Sequence, residues 1–381
     1  MFSQRLKWDV QPNPISRLVA QKRAARIPVL DLTESNPTHA GFDYPPELLA
    51  PLADPHALRY DPDPRGVRVA REAVADYYAH RGVKVQLDQI LLTASTSEAY
   101  SYLFKLLADP GDEVLVPRPS YPLFEYLASL ESVHVRHYPL RYDGVWHIDF
   151  DSLERAISRG TRAIVVVNPN NPTGQYLKRA ELERLDSLCA ARAIAILSDE
   201  VFCDYALGED AQRVRTLAGE PGALKFSMSG LSKIAGLPQL KLGWTVASGE
   251  GTREACERLE WIADTYLSVS TPVQLALSSF LASPVRHQIQ QRTAENLRWL
   301  LRTIEGTALN VLKVEGGWYA VAQVPHTRSE EEWVLTLLEQ HNVLVQPGFF
   351  YDFESEAYLV LSLLTESAQF QQGVRRILSI L

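Results

Sequence analysis

A lysine, an aspartate and an asparagine-rich turn are the residues of this sequence best suited to chemistry. Lys233 ends an apolar stretch and is flanked by serine and glycine, which favours a fixed amine over a solvated one. Asp199 and the turn NPNNPTG at 168–174 each follow a short apolar run. An amine can hold an aldehyde covalently, a carboxylate can keep a cationic partner charged, and amides can donate to an anionic oxygen. Together they have the parts needed to hold an aldehyde cofactor.

Each of these residues also has an ordinary interpretation. Most lysines carry only surface charge. Asp199 could equally cap a helix, and an Asn-Pro pair often marks a plain turn. The ordered set of three favours the chemical interpretation over these alternatives.

A run of hydroxyl side chains, Ser95, Thr96 and Ser97, joins a predicted strand to a predicted helix. Small side chains and free N–H groups at a helix N-terminus form an anion cradle suited to a phosphate. No GK[ST] sequence follows, so the run is not a Walker loop. Ordinary helix capping is the alternative.

The elements that must position these residues lie between about residues 88 and 248. Seven short apolar runs are predicted strands: 90–92, 113–116, 133–135, 163–167, 194–197, 224–227 and 243–247. Helices are predicted at 97–108, 178–192, 253–267, 292–303 and 331–340. Near-continuous β-branched runs indicate strands buried on both faces. The prediction is an α/β fold with a mainly parallel seven-stranded sheet sandwiched by helices, whose ligands bind beyond the carboxyl ends of the strands.

The chain, at 381 residues, is longer than one hydrophobic core usually supports. After about residue 285 short strand-like runs alternate with helical patterns in a smaller α+β unit. We expect residues 1–44 to be an N-terminal segment of that smaller domain, 45–285 the large cofactor-binding domain, and 286–381 the C-terminal small domain.

Composition excludes several classes of function. A net charge of −8 argues against nucleic-acid and membrane-surface partners. Cys189, Cys203 and Cys256 have no metal or redox spacing, and we expect no metal. No apolar run resembles a signal peptide or a membrane span. We therefore expect a cytoplasmic enzyme acting on small molecules.

Together these motifs resemble the aspartate aminotransferase family, the class I/II group of pyridoxal 5′-phosphate enzymes with fold type I. The turn at 168–174 and the serine-lysine pair before a Gly/Pro-rich stretch are the specific parts. The resemblance extends over nearly the whole chain, through the motifs at 60–66, 71–73, 95–97, 119–122, 168–174, 199–202, 232–233, 316–319 and 346–349.

The resemblance implies a role for each matching residue. Lys233 would form the internal aldimine and shuttle a proton at the substrate. Asp199 would pair with the pyridinium nitrogen, Asn171 would donate to the phenolic oxygen, and Tyr121 would stack on the ring. The phosphate contacts would come from Ser95, Thr96, Ser97, Ser232 and Lys241, with Tyr60 reaching in from a second subunit of a homodimer that shares its active sites.

The sequence departs from the family pattern at four positions. Lys241 replaces an arginine that grips the phosphate, Gly230 replaces a serine, and Phe202 replaces a tyrosine. Val360 stands where the family carries the arginine that binds the substrate carboxylate. Three explanations stay open for Val360: another cation binds the carboxylate (Lys241, Arg17 or Arg213), the substrate has no carboxylate there, or catalysis has been lost.

The favoured function is an aminotransferase that moves an amino group from an amino acid or amine donor to a 2-oxo acid acceptor. A carbon–sulfur or β-eliminating lyase is an alternative that would use the same lysine and aspartate. A cofactor-binding relative without turnover is another alternative, which the changes at Val360 and Lys241 favour.

Overall fold

A computed structural model describes residues 2–8, 11–355 and 357–381 of the chain. Met1, Asp9 and Val10 of the predicted N-terminal segment lie outside the described residues. Glu356, just before the last strand, also lies outside them.

Strands and helices alternate through most of the described chain. The strands are β1 (Leu30–Asp31), β2 (Ile90–Thr93), β3 (Glu113–Arg118), β4 (His134–Tyr142), β5 (Trp146–Ile148), β6 (Thr161–Val167), β7 (Ala195–Asp199), β8 (Lys225–Gly230), β9 (Gly243–Ser248), β10 (Asn310–Val311), β11 (Tyr319–Gln323), β12 (Val343–Leu344), β13 (Gln346–Pro347) and β14 (Tyr358–Ser362). The helices are α1 (Pro14–Ala24), α2 (Arg68–Ala79), α3 (Thr96–Leu107), α4 (Phe124–Leu130), α5 (Phe150–Ala156), α6 (Arg179–Ala190), α7 (Leu231–Ile234), α8 (Thr252–Asp264), α9 (Thr271–Leu275), α10 (Leu277–Leu281), α11 (Val285–Thr303), α12 (Glu330–His341) and α13 (Ser367–Leu378). Short 3-10 helices cover Gln4–Leu6, Pro37–His39, Pro46–Ala53, Pro55–Leu58, Leu87–Gln89, Pro238–Leu240 and Gly348–Tyr351.

The large sheet follows the strand order β2, β9, β8, β7, β6, β3, β4, β5. The neighbours from β8 to β4 pair in parallel, whereas β9 and β5 run antiparallel to their partners. The mainly parallel α/β sheet is therefore confirmed. The predicted number of seven strands is wrong by one among the described residues, because β5 adds a short eighth strand at the edge. Its three residues, two of them buried, give too short a run to identify from periodicity.

Helices cover both faces of this sheet because its strands are apolar on both sides. In β6 the run from Ala163 to Val167 is fully buried, and β7 and β9 are buried throughout. One face packs against α3, α4 and α8, and the other packs against α5 and α6. In α6 the apolar stripe of Leu182, Leu185 and Leu188 faces the sheet.

A second, antiparallel sheet of four strands has the order β10, β11, β14, β13. The helices α1, α12 and α13 pack near it around a separate apolar cluster. The N-terminal strand β1 pairs in parallel with β12, so the two ends of the chain are joined. The helix predicted at 292–303 begins earlier, at Val285, because Pro284 sits at its N-cap and suits the start of a helix. Among the described residues every helix is too short or too polar to span a bilayer.

Candidate active site

The carboxyl ends of β6, β7 and β8 bring the predicted site residues together. Asp199 is the last residue of β7 and is paired with Val167 of β6 and Met228 of β8. The 168–174 turn leaves β6 at the same edge. β8 ends at Gly230 and continues directly into α7, which carries Lys233. Parallel strands end at one edge of the sheet, so the amine, the carboxylate and the turn share one crevice.

The amine of Lys233 lies between aromatic rings and the N-terminal segment. Its Nζ is 5.0 Å from the ring centroid of Trp318 and 5.9 Å from that of Phe202. The same Nζ donates to the carbonyl oxygen of Ser35 at 3.4 Å. Burial lowers the pKa of Lys233 from 10.5 to about 8, against the opposing effect of Asp199 and Glu34. A substantial fraction of neutral amine is therefore present near pH 8.

Asp199 is a buried carboxylate with two hydrogen-bond donors. The hydroxyl of Tyr100 donates to Oδ2 at 3.2 Å, and the N–H of Val201 donates to Oδ1 at 3.2 Å. Burial nevertheless raises the pKa of Asp199 from 3.8 to about 6. A carboxylate in such a place gains most from a cationic partner, which would restore its charge.

The three asparagines of the 168–174 turn have different surroundings. Asn168 donates to Val214 O at 2.9 Å and accepts from Leu177 N at 3.0 Å. Asn170 is bonded to Pro119 O at 3.1 Å and also to neighbouring hydroxyls. Asn171 is only 8% exposed, and its Oδ1 has no hydrogen-bond partner in the described ranges. Asn171 is therefore the member of the turn whose amide is available to a ligand.

Tyr121 lies close enough to Asp199 for the two groups to interact electrostatically. Burial, and secondarily the charge of Asp199, raise the pKa of Tyr121. Its ring meets that of Phe124 edge to face, 6.3 Å between centroids. Phe202, whose ring lies near Lys233 Nζ, is buried against Trp318.

Three segments predicted to contact a phosphate converge around Gly243. This glycine is paired with Thr93 of β2 on one side and Gly230 of β8 on the other. A Cβ at position 243 would lie 3.0 Å from Ser229 O and 3.3 Å from the carbonyl carbon of Ser95. Only a glycine allows this approach without displacing backbone. The starts of α3 and α7 are thereby held side by side.

The start of α3 has a side-chain cap and also backbone N–H groups that could bind an anion. Ser95 is the N-cap, and its Oγ accepts from Glu98 N at 3.2 Å. The Glu98 carboxylate in turn accepts from Ala94 N at 2.7 Å. The N–H groups of Thr96 and Ser97 lie in the first turn, where a helix offers no internal acceptor. They are the groups that could bind an anion here.

The remaining predicted cofactor residues differ in placement. Ser232 precedes Lys233 in α7 and is half-buried, whereas Lys241 is exposed just before β9, with φ of 49°. Tyr60 is 79% exposed and lines a surface cavity with Tyr102 and Gln274. Within the described chain no hydrogen bond or ring contact joins Tyr60 to Lys233.

Two of the cations suggested as replacements near Val360, Arg17 and Arg213, are bonded to backbone carbonyls of other segments. Val360 is 1% exposed and packs in an apolar cluster. Arg17 is exposed and donates to Pro12 O at 2.8 Å. Arg213 is half-buried and donates to Gly208 O at 2.8 Å.

Several residues beside Lys233 and Asp199 are not predicted from the sequence. They are Tyr100, whose hydroxyl bonds Asp199, and Tyr205, whose hydroxyl donates to the carbonyl oxygen of Lys233. Glu34 of the N-terminal segment, which acts electrostatically on Lys233, is another such residue. Tyr100 lies four residues after Thr96, on the buried face of α3. This helical spacing is the sequence feature from which its place near the site could have been predicted. No pattern in the sequence marks Glu34.

Replacing Tyr100 with phenylalanine is expected to raise the pKa of Asp199 by about one unit, because a hydrogen bond to the charged carboxylate is lost. Carbon-13 NMR of aspartate side chains in the apoprotein measures this pKa. Tyr138→Phe is the matched control, since the buried Tyr138 hydroxyl donates to Val165 O, away from Asp199. An unchanged Asp199 pKa in Tyr100→Phe would show that the hydrogen bond has no such effect.

Comparisons with known proteins agree over nearly the whole chain. The family described as aminotransferase class I and II matches residues 27–377. The glutamate-pyruvate aminotransferase AlaA of Escherichia coli is 30% identical over 344 residues, covering 85% of this chain and 83% of that protein. The alanine aminotransferase of Mycobacterium tuberculosis is 28% identical, covering 96% and 88%.

Solved structures show the same likeness. An aminotransferase from Escherichia coli superposes with a TM-score of 0.87 at 25% identity, covering 100% of this chain and 98% of the other. The chain therefore belongs to the class I and II aminotransferase family, whose members use pyridoxal phosphate, and it is an aminotransferase.

Proposed function

We propose that this enzyme moves an amino group from an amino acid or amine donor to a 2-oxo acid acceptor, with Lys233 as the catalytic base and Asp199 as the partner of a cationic ring. One observation carries the proposal: a half-buried amine with a lowered pKa lies in the same crevice as a buried carboxylate with a raised pKa. Groups whose surroundings shift their pKa values toward neutrality suit proton transfer.

The crevice fits pyridoxal phosphate. The orphaned amide of Asn171 can turn either its nitrogen or its oxygen toward a ligand, and would donate to the phenolic oxygen. Asp199 would hold the ring nitrogen, and Tyr121 would cover one face of the ring. The phosphate would lie at the start of α3, against Ser95, Thr96, Ser97, Ser232 and Lys241. When bound, the cofactor supplies an electron sink for negative charge at the substrate carbon.

Lys233 would first hold the cofactor's aldehyde carbon and later move a proton at the carbon that bears the amino group. A neutral amine is needed for both tasks, and the buried setting provides it. The hydroxyl of Tyr205 fixes the backbone of Lys233 through its carbonyl oxygen. Phe202 and Trp318 shield the amine with apolar rings.

A half-reaction assay tests this function. The purified holoenzyme is mixed with a panel of amines and amino acids, and the loss of its visible absorption is followed. Amino transfer predicts a carbonyl product equal in amount to the enzyme, and recovery of the absorption when a 2-oxo acid is added. Ammonia with pyruvate would instead identify a lyase. Retained absorption with every amine would identify a binding protein without turnover.

The uptake of pyridoxal phosphate by the apoprotein is expected to depend on pH through Lys233. Protonated amine cannot attack an aldehyde, so the uptake rate should rise about tenfold per pH unit below the lysine pKa. Because that pKa is lowered to about 8, the rate should level off above pH 8. Stopped-flow absorbance measures it. A rate that continues to rise up to pH 10 would indicate an ordinary lysine.

We also propose a cytoplasmic homodimer with shared active sites. Tyr60 and its apolar neighbour Leu58 are largely exposed, and Trp261 is exposed as well, which suits burial against a second copy. The division into 1–44, 45–285 and 286–381 is part of this proposal. The pairing of β1 with β12 supports assigning the N-terminal segment to the small domain. Sedimentation analysis of the holoenzyme tests the dimer.

A further inference from the structure

The N-terminal segment brings a carboxylate to the amine of Lys233. The carbonyl oxygen of Ser35 is 3.4 Å from Lys233 Nζ, so residues 34–36 pass beside the reacting position. Glu34 acts electrostatically on both Lys233 and Tyr319. The charged groups that act on the amine are therefore Asp199 and Glu34, and both are negative.

Hydrogen bonds fix the position of Glu34 but leave one of its carboxylate oxygens, Oε2, open to a further donor. Its carbonyl oxygen accepts from Ser362 Oγ at 2.5 Å. Its Oε1 accepts from Asn36 N at 2.7 Å, which orients the carboxylate. The exposed ring of His39 lies beside Oε2, with Nδ1 4.0 Å away. The side chain is 26% exposed, so Oε2 can receive a further donor.

Val360 lies on the wall that faces Glu34. Alternate residues of a strand share a face, so Val360 and Ser362 of β14 point to the same side. Ser362 contacts Glu34 through its Oγ, which shows that this side borders the N-terminal segment. Tyr319, paired with Ser362, and Tyr351 add ring faces 6.5 Å apart. In the described part of the chain this wall combines apolar and phenolic groups with a carboxylate, a poor setting for a substrate carboxylate.

We propose that the amino donor carries no carboxylate beside its amino group and instead presents a second cationic amino or guanidinium group to Glu34. The proposal rests on the aminotransferase function above. The amino group passes to the cofactor's aldehyde carbon, which is reduced, while the donor carbon is oxidised by two electrons to a carbonyl. One water is taken up when the donor leaves as a carbonyl product, and one is released when the 2-oxo acid receives the amino group. Glu34 acts as a specificity residue by pairing with the far end of the donor.

Matched alkylamines test the proposal on the holoenzyme in single turnover. The probes are 1,4-diaminobutane, butylamine, 4-aminobutanoate and L-alanine. The half-saturating concentration of 1,4-diaminobutane should be about tenfold below that of butylamine, because one charged pair is added. Both compounds with a carboxylate should react more slowly than butylamine.

The variant Glu34→Gln keeps an oxygen for Asn36 N but removes the charge. In this variant the half-saturating concentration of 1,4-diaminobutane should equal that of butylamine measured with the same variant. Glu47→Gln, in the exposed 3-10 helix Pro46–Ala53, is the matched control and should behave as the parent. As a readout without turnover, calorimetry should show that N,N,N′,N′-tetramethyl-1,4-diaminobutane binds Glu34→Gln about tenfold more weakly than it binds the parent.

The outcomes separate the two proposals. L-alanine reacting better than 1,4-diaminobutane overturns the substrate class but keeps the aminotransferase function. If Glu34→Gln weakens the reaction of butylamine and of 1,4-diaminobutane equally, the proposed substrate class is also overturned. Glu34 would then support only the fold. No reaction with any of the four compounds, with the visible absorption unchanged, counts against both.

Discussion

Replacement of Lys233 with alanine is expected to lower the rate of amino transfer about 10⁴-fold and to remove the visible absorption of the purified enzyme. Position 233 supplies both the amine that would hold the cofactor and the base that would move the proton. Lys233 is the lysine whose charge acts on Asp199. Single-turnover absorbance measures the rate. Borohydride reduction followed by peptide mapping identifies the labelled lysine in the parent enzyme.

The matched control is Lys84→Ala, which removes an exposed lysine from the loop after α2. It should keep the parent's absorption, rate and labelled peptide. The assignment of Lys233 is wrong if the alanine variant still forms a reducible adduct, or if the labelled peptide of the parent contains another lysine.

Replacement of Asp199 with asparagine should separate stability from catalysis. Its folded pKa of about 6 lies above the unfolded value of 3.8, so the folded apoprotein binds the extra proton between these pH values. The free energy of unfolding therefore falls as pH rises from about 4 to about 6, by about 3 kcal/mol in total. An asparagine does not ionise, so the variant does not lose this free energy as pH rises. At pH 7 the apoprotein variant should therefore be at least as stable as the parent.

Amino transfer by Asp199→Asn should nevertheless fall about 10³-fold, since a neutral amide cannot hold a pyridinium ring in its cationic form. Urea unfolding of the apoprotein and single-turnover absorbance of the holoenzyme give the two quantities. Asp264→Asn, at the exposed end of α8, is the control for an aspartate outside the site. A variant that loses stability and activity together would show that Asp199 only supports the fold.

The sequence predicts the large sheet well because its strands are buried on both faces. The runs at 163–167 and 194–197 are β-branched or aliphatic throughout. Short continuous apolar runs of this kind are typical of the strands of a parallel sheet covered by helices on both faces. Once the strands are parallel, Asp199 and Lys233 must approach each other at the carboxyl edge. Their proximity follows from topology and needs no knowledge of side-chain contacts.

The surroundings of these two residues could not be predicted in the same way. Tyr100 reaches Asp199 only because α3 lies across the sheet at a particular angle, which depends on packing with α4 and α8. Glu34 reaches the site because β1 pairs with β12, more than three hundred residues apart in sequence. The strand β5 was missed because three residues carry too little periodicity.

The site is assembled from the beginning, the middle and the end of the chain. Ser35 comes from the start, Lys233 from the middle, and Ser362, which holds Glu34, from the last strand. A ribosome releases these segments one after another. The vitamin-derived group can therefore be captured in its finished setting only after the segment that contains Ser362 has left the ribosome.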